Sequence, residues 1–313
     1  MLTLTHLRIL DAVARHGSVT EAARELHYSQ PSVSHQLGRL ETATGARLLQ
    51  RVGRGIRLTP EGELLARRAA EIVGRVDAAS DELAAQVGLQ SGRVRVAAFQ
   101  TVLSTLVPDA ASELARRHPG VELDLVDVHP TEALAMLRAG QVDVALVFRH
   151  PDPPGEDEGF RLTHLLDDPL YLLSRDRDQR LEDHRDSRWV GGCERCRATL
   201  VTVCERAGFT PRIAYSTDDM VVVQSLVAAG MGVGTLPGLA LQAHRVPGVH
   251  ATLLSGETRQ IFAVTYGEPP DPPATAAVLD ILESLTSSGR NPSSPGGWPR
   301  AARSPAARSP RAR

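Results

Sequence analysis

Five polar side chains, Gln30, Ser32, Ser34, His35 and Arg39, occupy one side of a segment whose other side carries Val33, Leu37 and Leu40 at i, i+4 and i+7. On a helix this spacing buries the apolar three and presents the polar five together. Hydroxyls, an amide, an imidazole and a guanidinium on one rigid face can hydrogen-bond to base edges and reach phosphate oxygens. Large apolar groups there would shed water for no hydrogen bond. A set of cations follows closely, Arg51, Arg54 and Arg57, around the turn sequence Val52-Gly53-Arg54-Gly55. Three arginines in isolation read as a solvated face. Directly after a polar-faced helix they are placed to meet the nucleic-acid backbone or minor groove. Ser18 and Thr20 at the start of the preceding helix, with Ser29 and Pro31 at the start of this one, complete the expected contact set.

The elements that hold these groups are signalled locally. Leu7, Leu10, Val13 and Ala14 recur at helical spacing before Gly17, which predicts a helix over 4–16. Ser18 with Glu21 fits a capping box for a second helix ending near Leu26, and Ser29 caps a third with Pro31 in its first turn. Leu48-Leu49 and Ile56-Leu58 are the strands of a small hairpin. Two helices joined by a tight turn and followed by a hairpin describe a winged helix-turn-helix. Between Pro60 and Gln90, Leu65, Ala69, Ile72, Val76, Ala79 and Leu83 alternate spacings of four and three, the seam of a two-stranded coiled coil. The same stripe also suits a long helix packed on its own domain.

After Ser91-Gly92 strands alternate with helices. RVRVAAF, VELDLVDV and VDVALVF read as strands, with helices over 101–118 and 131–139, the mark of a parallel α/β sheet. Pro151 to Gly159 reads as a crossing point. A second α/β unit follows from Arg161, with strands LYLLS, RWVGG and GVGTLP and helices over 195–207 and 218–230; QIFAVTY and a helix over 274–285 lead back to the first unit. Two such lobes joined by two crossings predict a hinged cleft at strand ends and helix starts, where amides favour polar or anionic ligands. This places Gln100, Thr101, His129, Pro130, Thr131, Phe148 and Arg149 of one lobe, and Gly192, Cys193, Thr217 and Asp218 of the other, around a ligand. Thr101, Thr131 and Thr217 each have an ordinary alternative as helix caps, and Arg149 one as partner of the acidic run 156–158.

The N-terminal segment, its SQPSVSHQL core, the GRGIRLTPEG hairpin and the arrangement after them resemble a LysR-type transcriptional regulator over roughly residues 2–288. The resemblance implies base-reading positions at Gln30, Pro31, Ser32, Ser34 and His35 and a wing contact at Arg54, with His35 standing where the family often has arginine. It also implies a dimerising linker helix, commonly in a dimer of dimers, and a periplasmic-binding-protein-like effector domain. The expected organisation is a winged helix-turn-helix over 1–58, a linker over 59–90 and an effector domain over 91–288. Within the last, one lobe covers 91–160 and 267–288 and the other 161–266; a tail over 289–313 is rich in Arg, Pro and Ser. The expected partners are double-stranded DNA, a small-molecule effector, further copies of the chain and RNA polymerase. No cofactor and no metal are called for.

Charge agrees with this division. The formal net charge of −2 separates into +4 over 1–58, −12 over 59–289 and +6 over 290–313, and every basic residue is arginine. Cation is concentrated at the two ends, where counterion release can use it. No apolar run approaches the roughly twenty residues of a membrane span and no secretory leader is evident, so a cytoplasmic location is expected. No nucleophile elbow, phosphate loop or metal motif calls for catalysis. The three cysteines, Cys193, Cys196 and Cys204, are spaced C-x2-C-x7-C without a histidine to complete a zinc set. They read either as reduced, packed thiols or, since a helix start lowers a thiol pKa, as a thiol- or metal-responsive element.

Overall fold

The protein is described by a computed structural model over residues 1–52, 55–86, 92–150 and 159–287. Helix α1 (Leu4–His16) opens on Thr3, whose hydroxyl accepts from the His6 amide, and closes on Gly17 at φ +61°. Helix α2 (Val19–Glu25) opens on Ser18, whose Oγ accepts from the Glu21 amide at 3.3 Å. The Glu21 carboxylate pairs with Arg24 on its own helix. Helix α3 (Gln30–Thr44) opens on Ser29, with Oγ 3.3 Å from the Ser32 amide, and Pro31 sits in its first turn, where no amide is needed. Leu10, Val13, Ala22, Ala23, Val33, Leu37, Leu40 and Leu48 are buried in one core.

Strands β1 (Leu49–Val52) and β2 (Gly55–Leu58) pair antiparallel, from Leu49 opposite Leu58 to Val52 opposite Gly55. The start of this hairpin is anchored to the reading helix: Glu41 Oε1 accepts from the amides of Leu48 at 2.8 Å and Leu49 at 3.2 Å. Helix α4 (Pro60–Gln86) begins under the hairpin. Thr59 Oγ1 accepts from the Gly62 amide at 3.0 Å and donates to the Arg47 carbonyl at 2.6 Å. A Cβ at Gly62 would lie 2.1 Å from the Leu48 carbonyl oxygen, so the LTPEG sequence is fitted to this close approach. The stripe read as a coiled-coil seam divides in two. Leu65 and Ala69 turn inward, while Ile72, Val76, Ala79 and Leu83 are exposed.

Contacts divide the chain into two units, Met1–Leu165 with Gln260–Leu285, and a second centred on Leu166–Arg259. Besides the helix-turn-helix and α4, the first holds β3 (Gly92–Ala98), α5 (Gln100–Leu103), α6 (Leu106–Arg117), β4 (Val121–Asp127), α7 (Pro130–Arg138) and β5 (Val144–Arg149). The second holds β7 (Arg188–Gly191), α8 (Glu194–Arg206), β8 (Arg212–Ser216), α9 (Met220–Ala228), β9 (Val233–Pro237) and α10 (Gly238–Ala243). Two long strands, β6 (Phe160–Ser174) and β10 (His250–Tyr266), pass from one unit to the other, and α11 (Pro273–Ser287) follows. Strand order is β4-β3-β5-β10 in the first and β6-β9-β7-β8 in the second.

The sheet is mixed where the sequence predicts a parallel one. β3 runs parallel to β4 and β5, and β7 parallel to β8 and β9, but β10 is antiparallel to β5 and β6 to β9. A strand that arrives without a crossover helix is not bound to the parallel sense. The helix expected over 101–118 is broken after Leu103. The hydroxyls of Ser104 and Thr105 bond back to the carbonyls of Gln100 (2.8 Å) and Thr101 (2.6 Å), which competes with the helical ladder.

Candidate DNA-reading surface and ligand-facing edges

Burial along α3 follows the spacing of its residues. Val33, Leu37 and Leu40 are buried, whereas Gln30, Pro31, Ser32, Ser34, His35 and Arg39 are exposed. Gln30 Nε2 donates to Ser34 Oγ at 2.9 Å, which pre-orders two of these polar groups without removing their remaining hydrogen-bonding capacity. Ser29 and Ser18 spend an acceptor on their helix caps, and Thr20 is exposed one residue inside α2. Arg57 is exposed on β2. Arg51 takes its place in the backbone of β1, and Arg54 lies outside the described residues, as does the acidic run 156–158. Hydroxyls, amide, imidazole and guanidinium therefore share one solvent-facing helix surface of the width that a DNA major groove admits.

The back of the surface is braced by ionic contacts. Arg15 of α1 reaches Glu25 of α2 with two hydrogen bonds, 2.6 and 2.9 Å, and His16 contacts the same carboxylate. Chiefly through the Arg15 hydrogen bond, the Glu25 carboxyl is lowered to about 2.

In the first unit the parallel register of β3, β4 and β5 brings three strand ends to one edge. Gln100 and Thr101 follow β3, His129, Pro130 and Thr131 follow β4, and Phe148 and Arg149 end β5. Phe99 and Phe148 meet edge to face with centroids 5.0 Å apart, and the Arg149 guanidinium lies over the Phe262 ring at 5.9 Å. Gln100, His129 and Thr131 are exposed, while Thr101 and Pro130 are buried. The second unit repeats the device: Gly192 and Cys193 follow β7, and Thr217 and Asp218 follow β8. In both units the loop after the second strand bonds back to the end of the first, Val128 amide to Ala98 carbonyl at 3.1 Å and Thr217 amide to Gly191 carbonyl at 2.9 Å.

None of the three threonines is a helix N-cap. Phe99 stands at that position for α5, His129 for α7 and Asp219 for α9. Asp219 accepts from the amides of Val221 at 2.7 Å and Val222 at 3.2 Å, and Thr217 Oγ1 accepts from the Asp219 amide at 3.2 Å. Helices α7 and α8 start without any side-chain cap bond, in contrast to the hydroxyl-capped helices α1 to α3. Amides of that kind offer hydrogen bonds to an anionic or polar group.

Two residues absent from the sequence reading, Asp168 and Arg259, belong to the second unit. Asp168 of β6 and Arg259 of β10, both buried, join through Oδ2 at 2.8 and 3.0 Å, and Asp168 Oδ1 accepts from the Leu239 amide at the start of α10 at 2.9 Å. Cys196, in the first turn of α8, places its Sγ 3.2 Å from that of Cys193. Cys204 is fully buried with Trp189, Leu200 and Phe209.

The fold and its exposed polar surfaces define a winged helix-turn-helix module on an α/β ligand-binding scaffold. The model of the bacterial regulatory helix-turn-helix proteins of the lysR family matches residues 4–63, and that of the LysR substrate binding domain matches 88–286. The chain belongs to the LysR family of transcriptional regulators, a family of DNA-binding, non-enzymatic proteins with an effector-binding domain. It is 30% identical to the HTH-type transcriptional regulator YfeR of Shigella flexneri over 76% of this chain and 79% of that one. It is 28% identical to the hydrogen peroxide-inducible genes activator of Dickeya chrysanthemi over 78% and 82%. Among solved structures, CbnR bound to its target DNA superposes with a TM-score of 0.63 at 24% identity, covering 90% of this chain and 99% of that one. Full-length OxyR from Pseudomonas aeruginosa does so at 0.70 and 23%, covering 90% and 95%. At these identities the likeness is one of fold.

Proposed function

We propose that the protein controls transcription by binding an inverted-repeat operator through α3 and the hairpin, and that a small polar or anionic effector, held by the strand-end groups of its α/β units, governs the output. The exposed polar side of α3 carries this reading. Its core residues are already satisfied by α1 and α2, so Gln30, Pro31, Ser32, Ser34, His35 and Arg39 are available for DNA. Ser18, Thr20, Ser29, Arg51, Arg54 and Arg57 serve the phosphate backbone around them, positioning the helix without adding base information. The exposed half-seam on α4, Ile72, Val76, Ala79 and Leu83, joins two copies so that two reading helices reach half-sites about one helical turn apart. Pairs of such dimers then make the tetramer, and RNA polymerase is the further partner through which the bound protein acts on transcription.

The effector acts only if it binds one arrangement of the assembly more tightly than another. Its recognition is assigned to Gln100, Thr101, His129, Pro130, Thr131, Phe148 and Arg149, and to Gly192, Cys193, Thr217 and Asp218. The uncapped starts of α7 and α8 and the Arg149 guanidinium favour a ligand bearing a carboxylate or a similar anion. The test begins with DNA upstream of the protein's own gene against unrelated DNA of equal length at one stated salt concentration. A thermal-shift screen of small carboxylic acids then supplies ligands for footprinting on the selective DNA. Selective binding with an effector-dependent footprint supports the reading. A ligand that stabilises the protein yet leaves occupancy, footprint and transcription unchanged removes the regulatory half of it.

A further inference from the structure

We propose that Cys193 and Cys196 are a redox-active dithiol, a site at which the second α/β unit takes up oxidising equivalents from a low-molecular-weight disulfide and closes an intramolecular disulfide at the start of α8. The two sulfurs are 3.2 Å apart, and a covalent bond near 2.05 Å needs an approach of about 1 Å, within the reach of χ1 adjustments at a helix end. The local sequence keeps that space open. A Cβ at Gly192 would stand 3.0 Å from Cys196 Cβ, a distance that leaves the second cysteine little room to move. Cys204 belongs to a different environment. It is fully buried on the inner side of α8 and its thiol is pushed up to about 12 by burial, so it takes no part in the pair. Among the described residues no three His, Cys, Asp or Glu side chains are grouped to hold a metal ion, and two thiols fall short of the four ligands of a structural zinc site.

The pair also divides the chemical roles. Cys193 stands at the N-terminal cap of α8, where the helix start favours a thiolate, so the attacking role is assigned to Cys193, while contact with Cys193 and burial push the Cys196 thiol in the first turn up. The Cys193 thiolate attacks one sulfur of glutathione disulfide. A mixed disulfide forms and one glutathione thiolate leaves. Cys196 sulfur then attacks the Cys193 sulfur, the protein disulfide closes, and the second glutathione leaves, taking up the proton that Cys196 gives up. Two protein thiols are oxidised and one small disulfide is reduced to two thiols, so atoms and electrons balance. The bond fixes the first turn of α8 beside Gly192, at the edge assigned above to the effector, and thereby gives that edge an oxidised and a reduced form. This consequence rests on the effector reading; the exchange chemistry itself does not.

The experiment uses the full-length protein equilibrated in glutathione buffers of graded oxidised-to-reduced ratio, quenched by alkylation and digested with trypsin. Cleavage at Arg195 separates the two cysteines, so only a disulfide keeps their peptides together. The expected result is one two-electron transition. Both thiols are lost together, the peptides of Cys193 and Cys196 are linked, dithiothreitol reverses the change, and Cys204→Ala behaves as the parent does. Cys196→Ser is expected to trap glutathione on Cys193, and Cys193→Ser to abolish the transition. The proposal is overturned if the linked peptide fails to form with a large excess of glutathione disulfide, if the link involves Cys204 or a second chain, or if Cys193→Ser leaves the transition intact. Selective DNA binding by the reduced protein, measured on the same samples, reports separately on the regulator reading.

Discussion

His35 and Leu37 stand two residues apart on α3 and separate DNA reading from folding. His35 is exposed and has no role in the helix-turn-helix core, so His35→Ala should leave unfolding free energy within about 0.5 kcal/mol of the parent, the range for surface positions. A base-edge contact contributes about 1–3 kcal/mol of discrimination, and both half-sites of an inverted repeat lose it in a dimer. The smallest expected loss is thus about 2 kcal/mol, or roughly 30-fold in affinity for the selective site. Binding to unrelated DNA, which depends on phosphate contacts, should change by less than about twofold at the same salt. Leu37→Ala is the counterpart. It removes a side chain only 4% exposed within the core of α1, α2 and α3 and should cost about 2–5 kcal/mol of stability, weakening binding to every DNA alike. Anisotropy titrations on the selective and unrelated DNAs, paired with thermal melts of both variants, provide the comparison. Equal losses on the two DNAs for His35→Ala, or a melting temperature lowered as far as that of Leu37→Ala, would refute the assignment of α3 to base reading.

Further predictions address the scaffold. Asp168→Ala leaves the buried Arg259 guanidinium without its carboxylate and strips the Leu239 amide of its acceptor, so the second unit should lose about 3–5 kcal/mol in urea melts, with most of it restored when Arg259 is also made apolar. Gly62→Ala drives a methyl group against the Leu48 carbonyl and should cost about 1–3 kcal/mol, whereas Gly38→Ala, with nothing within 4 Å of the added Cβ, should gain up to about 1 kcal/mol of helix propensity; circular-dichroism melts of the pair check both signs. Glu25, lowered to about 2 when folded against an ordinary value near 4.3, binds fewer protons folded than unfolded across that interval. Its contribution is complete above about pH 4.5 and is lost as the pH falls toward 2; with its side chain 35% exposed the screened contribution is about 1 kcal/mol, and Glu25→Gln should flatten the acid limb of stability against pH.

What could be read in the chain was governed by how local its cause was. The end of α1, the start of α3 and the division of α3 into buried and exposed sides follow from Gly17, Ser29, Pro31 and a 3.6-residue period within fifteen residues. Long-range causes left weaker marks. Strand β8 (RIAYS) and helix α10 (GLALQA) are too short for a period to show, and β6 and β10 extend beyond LYLLS and QIFAVTY because partner strands supply their hydrogen bonds. The Asp168–Arg259 pair joins residues 91 apart; the only local hint was an aspartate within the apolar run LLDDPLYLL. Cys196 was visible as part of C-x2-C, but only the geometry of the first turn of α8 separates it from Cys204.

The helix α4 shows why the regulator reading requires more than one copy. Its first half is consumed at home, where Leu65, Ala66 and Ala69 pack inward and Thr59 ties the helix start to Arg47 and Gly62, and further along Arg8 of α1 pairs with Asp77 at 2.5 Å. The remaining apolar positions, Ile72, Val76 and Leu83, stand 46%, 38% and 66% exposed at spacings of four and seven. Apolar side chains on one helical stripe gain free energy only by leaving water, at about 25 cal/mol per Å². A second α4 offers a stripe of the same period, and its attached reading surface arrives with it. One reading helix presents half a dozen side chains, few of which can contact base edges at once. Doubling the surface through α4 squares the discrimination at no cost in new residues. Ile72→Asp with Val76→Asp should therefore reduce operator affinity by more than a hundredfold while leaving each folded helix-turn-helix intact, measured by anisotropy alongside sedimentation. Retained dimers with unchanged affinity would show that the copies associate through another surface.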